Sequence, residues 1–231
     1  MIFLSLLQSK AQDADALPEE KVLSIMDLIL NGGTGGQIII GLLFILLFVA
    51  VYIYLERLFA IKSASKFDSQ FTHQIRDHVT NGKIESAKVL CAQYNTPVSR
   101  LTEKGISRIG NSLEDINKAI ENAGRLEVYK LERNVSILAT IAGAAPMIGF
   151  LGTVIGMVLA FHQLATSSGQ AEMGNLAEGI YTAMTTTVAG LIVGIIAYMG
   201  YNHLVVSTDK VVHQMEATAV DFLDLLNEPA R

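Results

Sequence analysis

Two stretches, Val135 to Phe161 and Gly179 to Asn202, constrain this chain most, because neither contains Asp, Glu, Lys, Arg or His. About 20 apolar residues at 1.5 Å per residue cross the hydrocarbon of a bilayer, and both stretches are that long. A third uncharged run, Gln37 to Leu55, is closed by Glu56 and Arg57. Mean hydropathy over the chain is +0.40. A soluble domain of 231 residues does not need three uncharged runs of membrane length, so the sequence predicts an all-α integral membrane protein with three transmembrane helices.

The cations give the orientation. Of 17 Lys and Arg, thirteen fall in residues 56–134, none in 164–178, and two each in 1–36 and 203–231. Cations stay on the cytoplasmic side, and those next to the membrane, Arg57, Lys62, Lys130 and Arg133, carry most of the weight. The expected order is an outer segment 1–36, a membrane helix 37–55, a cytoplasmic helical domain 56–134, a second membrane helix 135–163, an outer loop 164–178, a third membrane helix 179–202, and a cytoplasmic helix 203–231. The N-terminus then lies outside and the C-terminus inside.

Within this frame, Met1 to Leu7 is apolar but short and lacks a basic n-region, a poor fit to a cleaved signal peptide. Pro18, Glu19 and Glu20 predict a short helix that Asn31-Gly32-Gly33 stops. It suits the outer membrane interface or a partner equally well. Gln37 to Leu55, rich in Ile, Leu, Phe and Val with Tyr52 and Tyr54 at its inner end, reads as an anchor against lipid. In the cytoplasmic domain, Ile84, Ala87 and Val89-Leu90 mark a helix ending before Asn95-Thr96-Pro97. Ser112 to Asp115 resembles a capping box, followed by Leu113, Ile116, Ile120, Ala123, Leu126 and Val128 at a 3–4 period. No Gly or Pro interrupts Arg125 to Ala142, which predicts one helix running straight into the membrane. His203 to Leu226 reads as a matching extension of the third membrane helix.

The second and third membrane runs differ from the first in their small residues. Gly149, Gly152, Gly156 and Ala160 share one side of the second; Gly179, Ala183, Thr187, Gly190 and Gly194 share one side of the third. Small residues at this spacing let helix backbones approach closely in lipid, within one subunit or between subunits. Pro146 removes one backbone donor and is expected to bend its helix. Thr140, Thr153, Thr182, Thr185, Thr186 and Thr187 add hydroxyls that packing alone does not require. Each returns its bond to its own backbone by default, but a cluster facing a shared axis lines a polar path. Proton relays in membranes use Asp, Glu or His. These runs have none, so a titrating group for any such relay comes from another chain. His162, at the outer end, reads as interfacial.

The remaining composition excludes other classes. A net charge of −5 gives no hint of nucleic-acid binding, and Cys91 has no second cysteine to bridge to. No nucleophile–base pair and no metal-ligand cluster is visible, so neither catalysis, a metal nor a cofactor is expected.

The segments Ala145-Pro-Met-Ile-Gly-Phe-Leu-Gly-Thr-Val-Ile-Gly156 and Thr185-Thr-Thr-Val-Ala-Gly-Leu191, ending at Tyr201-Asn-His203, resemble the MotA/TolQ/ExbB proton-channel family, most of all its ExbB and TolQ members. The resemblance implies a homo-oligomer, a pentamer, whose second and third helices ring a central pore. Inside it would sit single-span ExbD- or TolR-like subunits, each with a transmembrane Asp. It places Thr153 and Thr187 at the family's pore-lining threonines, with Thr186 and Thr182 beside them. Pro146, Gly149, Gly152, Gly156, Ala183, Gly190 and Gly194 would pack the ring. It further implies proton entry from outside, neutralisation of the partner Asp, and motion passed to TonB for outer-membrane uptake, or to TolA in the envelope. A flagellar MotA would need a fourth membrane helix. A membrane scaffold without ion flow is the reading from a different class. The chain departs from the family at Gly179-Ile-Tyr-Thr182, where ExbB and TolQ proteins often carry Glu one turn after the Gly-Ile. Glu178 lies one turn earlier.

Overall fold

A computed structural model describes residues 33–65, 69–166 and 173–227 of the chain. The helix expected from Pro18 and the expected outer loop 164–178, apart from its two ends, lie outside the described residues, as does the side chain of Glu178. The described residues form seven helices in chain order: α1 Gly33–Ala64, α2 Ser69–Thr80, α3 Ile84–Tyr94, α4 Pro97–Ile106, α5 Leu113–Glu132, α6 Val135–Thr166 and α7 Met173–Asn227. No strand is present among them. The stretches Gly35–Ala64, Leu113–Thr166 and Gly179–Asn227 each hold a window long and apolar enough to cross a membrane.

α6 and α7 are antiparallel neighbours, and α1 lies along α7 in the same direction. The direction follows from two close approaches. Gly36 of α1 meets the Thr182 methyl of α7, and eighteen residues further on along both helices the Tyr54 ring of α1 lies against Gly200 of α7. α1 buries Ile39, Leu43, Ala50, Ile53 and Ile61 and leaves Ile38, Phe44, Ile45, Phe48, Tyr52 and Phe59 exposed. An apolar helix with large side chains outward suits an acyl environment.

The second half of α7 carries a helical foot. Val211, Met215 and Phe222 of α7 share one core with Phe71 and Ile75 of α2, Ala87 and Cys91 of α3, Val98, Leu101 and Ile106 of α4, and Ile116 and Ile120 of α5. The approach is closest at Gly105, where a β-carbon would lie 2.5 Å from the Phe222 ring. Each large side chain buried here contributes about 1.5–3 kcal/mol, a driving force that water supplies and lipid does not. Burial, with the nearby Glu103 charge, pushes the Cys91 thiol up to about 12, so it sits in this core as a neutral apolar group.

Local chemistry sets the boundaries. Asn95, at φ 45°, ends α3 and donates its N–H to the Cys91 carbonyl. Thr96 caps α4 ahead of Pro97: its Oγ1 accepts from the Ser99 N–H at 3.2 Å, and Ser99 Oγ accepts from the Thr96 N–H at 2.9 Å. Ser112 starts α5 by accepting the Asp115 N–H at 3.2 Å. The return bond of a full box is not made, because the Asp115 carboxylate instead accepts from Ser112 Oγ at 2.7 Å. Of the apolar period in α5, Ile116 and Ile120 are buried, whereas Leu113 and Leu126 are exposed.

One expectation is corrected. The helix through Arg125 to Ala142 is not continuous: α5 ends at Glu132, and Asn134 adopts a left-handed conformation at φ 64° before α6 begins. Neither Gly nor Pro is needed, since Asn visits this region at low cost. The break leaves the last carbonyls of α5 without helical donors. Arg57, from the foot end of α1 and only 7% exposed, donates to one of them, the Lys130 carbonyl, at 3.1 Å. Its second amino group donates to Glu56 at 2.6 Å. α7, by contrast, runs unbroken for 55 residues through membrane and foot.

Candidate functional site

The small residues singled out by their spacing meet along one seam. Ala160 faces Gly179, Gly156 faces Ala183, Gly152 faces Thr186, Gly149 faces Gly190 and Thr187, and Pro146 faces Gly194. These pairs step down α6 as they step up α7, the register of an antiparallel pair. A β-carbon on Gly190 would lie 2.6 Å from the Ala145 carbonyl oxygen, and one on Gly149 would lie 2.8 Å from the Thr186 carbonyl oxygen. Both obstacles are backbone and cannot turn aside. The two helices are as close as glycine allows, which is how helices gain dispersion energy when lipid provides no hydrophobic drive. Pro146 completes the seam: a β-carbon on Gly194 would meet the proline ring at 2.6 Å and the Ala142 carbonyl oxygen at 3.2 Å. That carbonyl is the one whose helical donor Pro146 removes.

The structure separates the four threonines expected to share a path. Thr186 is 0% exposed, wedged over Gly152, with Oγ1 donating to the Ala183 carbonyl at 2.7 Å and lying 3.3 Å from the Gly149 carbonyl. Thr182 faces Gly36 on the α1 side. Thr153 and Thr187 sit half-buried at the edge of the seam. Thr187 Oγ1 donates across the seam to the Gly149 carbonyl at 3.2 Å. Thr153 Oγ1 donates to the Phe150 carbonyl at 2.5 Å. The two meet through one turn of α6, since Gly149 is the residue four before Thr153. Thr140 and Thr185 return their bonds to Ser136 and Tyr181 on their own helices.

Around this site the spans offer no charge. The charged groups stand below, at the junction with the foot. Glu127 of α5, 5% exposed, accepts from Arg100 at 2.5 Å and from Lys130 at 2.7 Å. Burial alone would push its carboxyl up, but the hydrogen bonds and charges of Arg100 and Lys130 outweigh that and hold it below the usual carboxylate range. At the same level Tyr54 of α1 is hydrogen-bonded to Nδ1 of His203 at 2.9 Å, with the two rings tilted 5.9 Å apart. Sequence patterning marked Tyr54 as an interfacial aromatic and His203 as part of a motif, but nothing local pairs residues 149 positions apart. Glu127 and Arg57 were also missed, since charge alone does not say which member of a polar helix face is covered. No group of three or more His, Cys, Asp or Glu able to hold a metal ion occurs among the described residues.

Comparison with known proteins agrees with this arrangement. The MotA/TolQ/ExbB proton channel family matches residues 93–217, more than half of the chain and including the whole seam. A protein of Methanothermobacter thermautotrophicus, named as a homolog of the biopolymer transport protein ExbB, is 29% identical over 70% of this chain; the match takes in 57% of its own length. The Tol-Pal system protein TolQ of Haemophilus influenzae is 28% identical over 90% of this chain and 96% of its own length. The biopolymer transport protein ExbB of Neisseria meningitidis is 26% identical over 88% of this chain and 99% of its own length. With three membrane-capable helices and a matched region that takes in the whole glycine seam, this chain belongs to the MotA/TolQ/ExbB proton channel family.

Proposed function

We propose that the chain is the ring-forming subunit of an ExbB-type energy transducer in the bacterial inner membrane. In this reading α6 and α7 of each copy, five in the assembly, surround the membrane helices of single-span ExbD- or TolR-like partners. The N-terminal segment and the α6–α7 connection face outward, and α2 to α5 with the end of α7 face the cytoplasm. The partner's aspartate takes the proton that the spans of this chain have no group to carry, and the resulting motion drives TonB. A charge crossing about 150 mV releases about 3.5 kcal/mol, enough to bias a conformational step. No step involves covalent catalysis.

One observation carries this reading: a backbone-close α6/α7 pair with no ionisable acid or base other than tyrosine in residues 135–161 and 179–202, and with the Thr153 and Thr187 hydroxyls at its edge. A second reading, a TolQ-like subunit acting with TolA, is favoured by the near full-length match to a TolQ protein.

The test is purification of the native complex together with uptake assays. A single-span partner carrying a membrane aspartate is expected to copurify. Thr153→Val and Thr187→Val are expected to leave the complex assembled and reduce proton-driven function at least tenfold. Loss of TonB-dependent uptake on gene deletion supports the first reading, and loss of outer-membrane integrity the second. An assembly without any partner helix leaves only a scaffold.

A further inference from the structure

An α-helix gives each carbonyl a donor four residues on, so in an unbroken helix the Lys130 carbonyl accepts the Asn134 N–H. In this chain that carbonyl accepts from Arg57 of α1, at 3.1 Å. Arg133, at ψ 130°, and Asn134, at φ 64°, carry the backbone out of the helix beside the guanidinium. α6 then opens with a bond from the Ile137 N–H to the Asn134 carbonyl at 3.1 Å. Sharp bends in helices trace to proline, to glycine or to a side chain that enters the hydrogen-bond ladder. Residues 125–142 hold neither glycine nor proline, and Arg57 is the side chain in the ladder.

The packing on either side of the joint also fits an unbroken helix. Counted as one helix, the buried residues Ile120, Glu127, Leu131, Val135, Leu138 and Ala145 fall within about a quarter-turn of each other. A straight α5–α6 helix therefore turns the same side chains inward. It also regains the helical bonds that the break takes from the Asn134, Val135 and Ser136 N–H groups. Arg57, for its part, is an imperfect wedge. Its Nε is buried with no partner among the described residues, a cost that the bent form carries. α1 has room to move, since a cavity of about 580 Å³ stands between its apolar half and α7.

We propose that the α5–α6 junction is a two-state joint with Arg57 as its latch, bent while the guanidinium holds the Lys130 carbonyl and one straight helix when α1 withdraws it. The two states compete for a single acceptor, so Arg57 and the Asn134 N–H exclude each other there. α1 thereby sets the angle at which α6 meets the foot, although it lies outside the α6/α7 seam. A push on the exposed face of α1, at Phe48, Tyr52 or Phe59, reaches α6 through that one bond. The joint lies within one chain, so it stands apart from the ring and the partner helix of the proposed function.

The test is backbone hydrogen–deuterium exchange of the full chain in its purified assembly, read by mass spectrometry over residues 133–137. In Arg57→Met, which keeps the apolar stem and loses the donors, the Asn134, Val135 and Ser136 amides are expected to exchange about tenfold more slowly than in wild type. A guanidinium that only capped the end of α5 gives the opposite sign, because the uncapped end frays. Faster or unchanged exchange in Arg57→Met therefore overturns the proposal. Asn134→Ala, for which the left-handed conformation is costly, is expected to slow the same amides with Arg57 still in place. Asn134→Gly added to Arg57→Met is expected to bring fast exchange back; slow exchange that survives the glycine is not helix closure and overturns the latch. If Arg57→Met fails to assemble, Asn134→Ala decides. Slower exchange there supports the joint, and unchanged or faster exchange overturns it.

Discussion

α7 has two neighbours in its apolar half, and it meets them differently. Against α6 it presents Ala183, Thr186, Gly190 and Gly194, and the backbones close until glycine is the only residue that fits. Against α1 it presents Tyr181, Met184, Val188 and Ile192, and a cavity of about 580 Å³ remains between them and Ile40 and Phe44. Both contacts are apolar, so hydropathy does not distinguish them. The difference lies in side-chain size. Small residues produce a seam held by dispersion and cross-helix hydrogen bonds, whereas bulky ones produce a contact that lipid can share. α1 is instead fastened at its foot end by polar bonds, Tyr54 to His203 and Arg57 to the Lys130 carbonyl.

The strongest way to break this contrast is to place equal bulk on each helix. Gly190→Leu is expected to cost about 3 kcal/mol or more, because its first carbon already collides with backbone. Gly41→Leu, with nothing within 4 Å of its site, is expected to change stability by less than about 0.5 kcal/mol. Thermal unfolding of the two variants in detergent checks the pair; equal losses would dissolve the distinction. A smaller effect is expected from Arg57→Ala, about 1–3 kcal/mol, since it strips the Lys130 carbonyl of its part-buried donor. Limited proteolysis between α1 and α2 is expected to rise in this variant while the α6/α7 seam stays protected. Retained protection throughout would show that α1 is held by its apolar face after all.

The smallest effect is at Glu127. Its carboxyl sits below the ordinary carboxylate value, so its contribution is present at neutral pH and is lost as pH falls through that lowered value. Melting temperature followed from pH 6 to pH 3 is expected to fall less in Glu127→Gln than in wild type, since the variant has no proton to take up there. Parallel curves would remove Glu127 from the account of the junction.

The seam was legible in the sequence because it is periodic: spacings of three and four put Gly149, Gly152 and Gly156 on one side before any partner is known. Its register was not, since no pattern says that Gly149 meets Gly190 and not the next turn. The hydroxyls were legible as a group, but only geometry separates Thr186, closed inside the seam, from Thr153 and Thr187 at its edge. The break at Asn134 was missed for a physical reason. Asn is a tolerated helix residue, so nothing local announces the left-handed turn at Asn134, and the carbonyl stranded nearby at Lys130 is met by Arg57, 73 positions away in the chain.

That break divides the molecule's mechanics. Of the two seam helices, α6 joins the foot through a joint at Asn134, whereas α7 is a single rod about 80 Å long. A tilt of α6 can be absorbed at the joint, while any turn of α7 about its own axis must carry Val211, Met215 and Phe222 with it. Of the seam helices, the stiff route for torque into the foot thus runs through the one that carries Thr187.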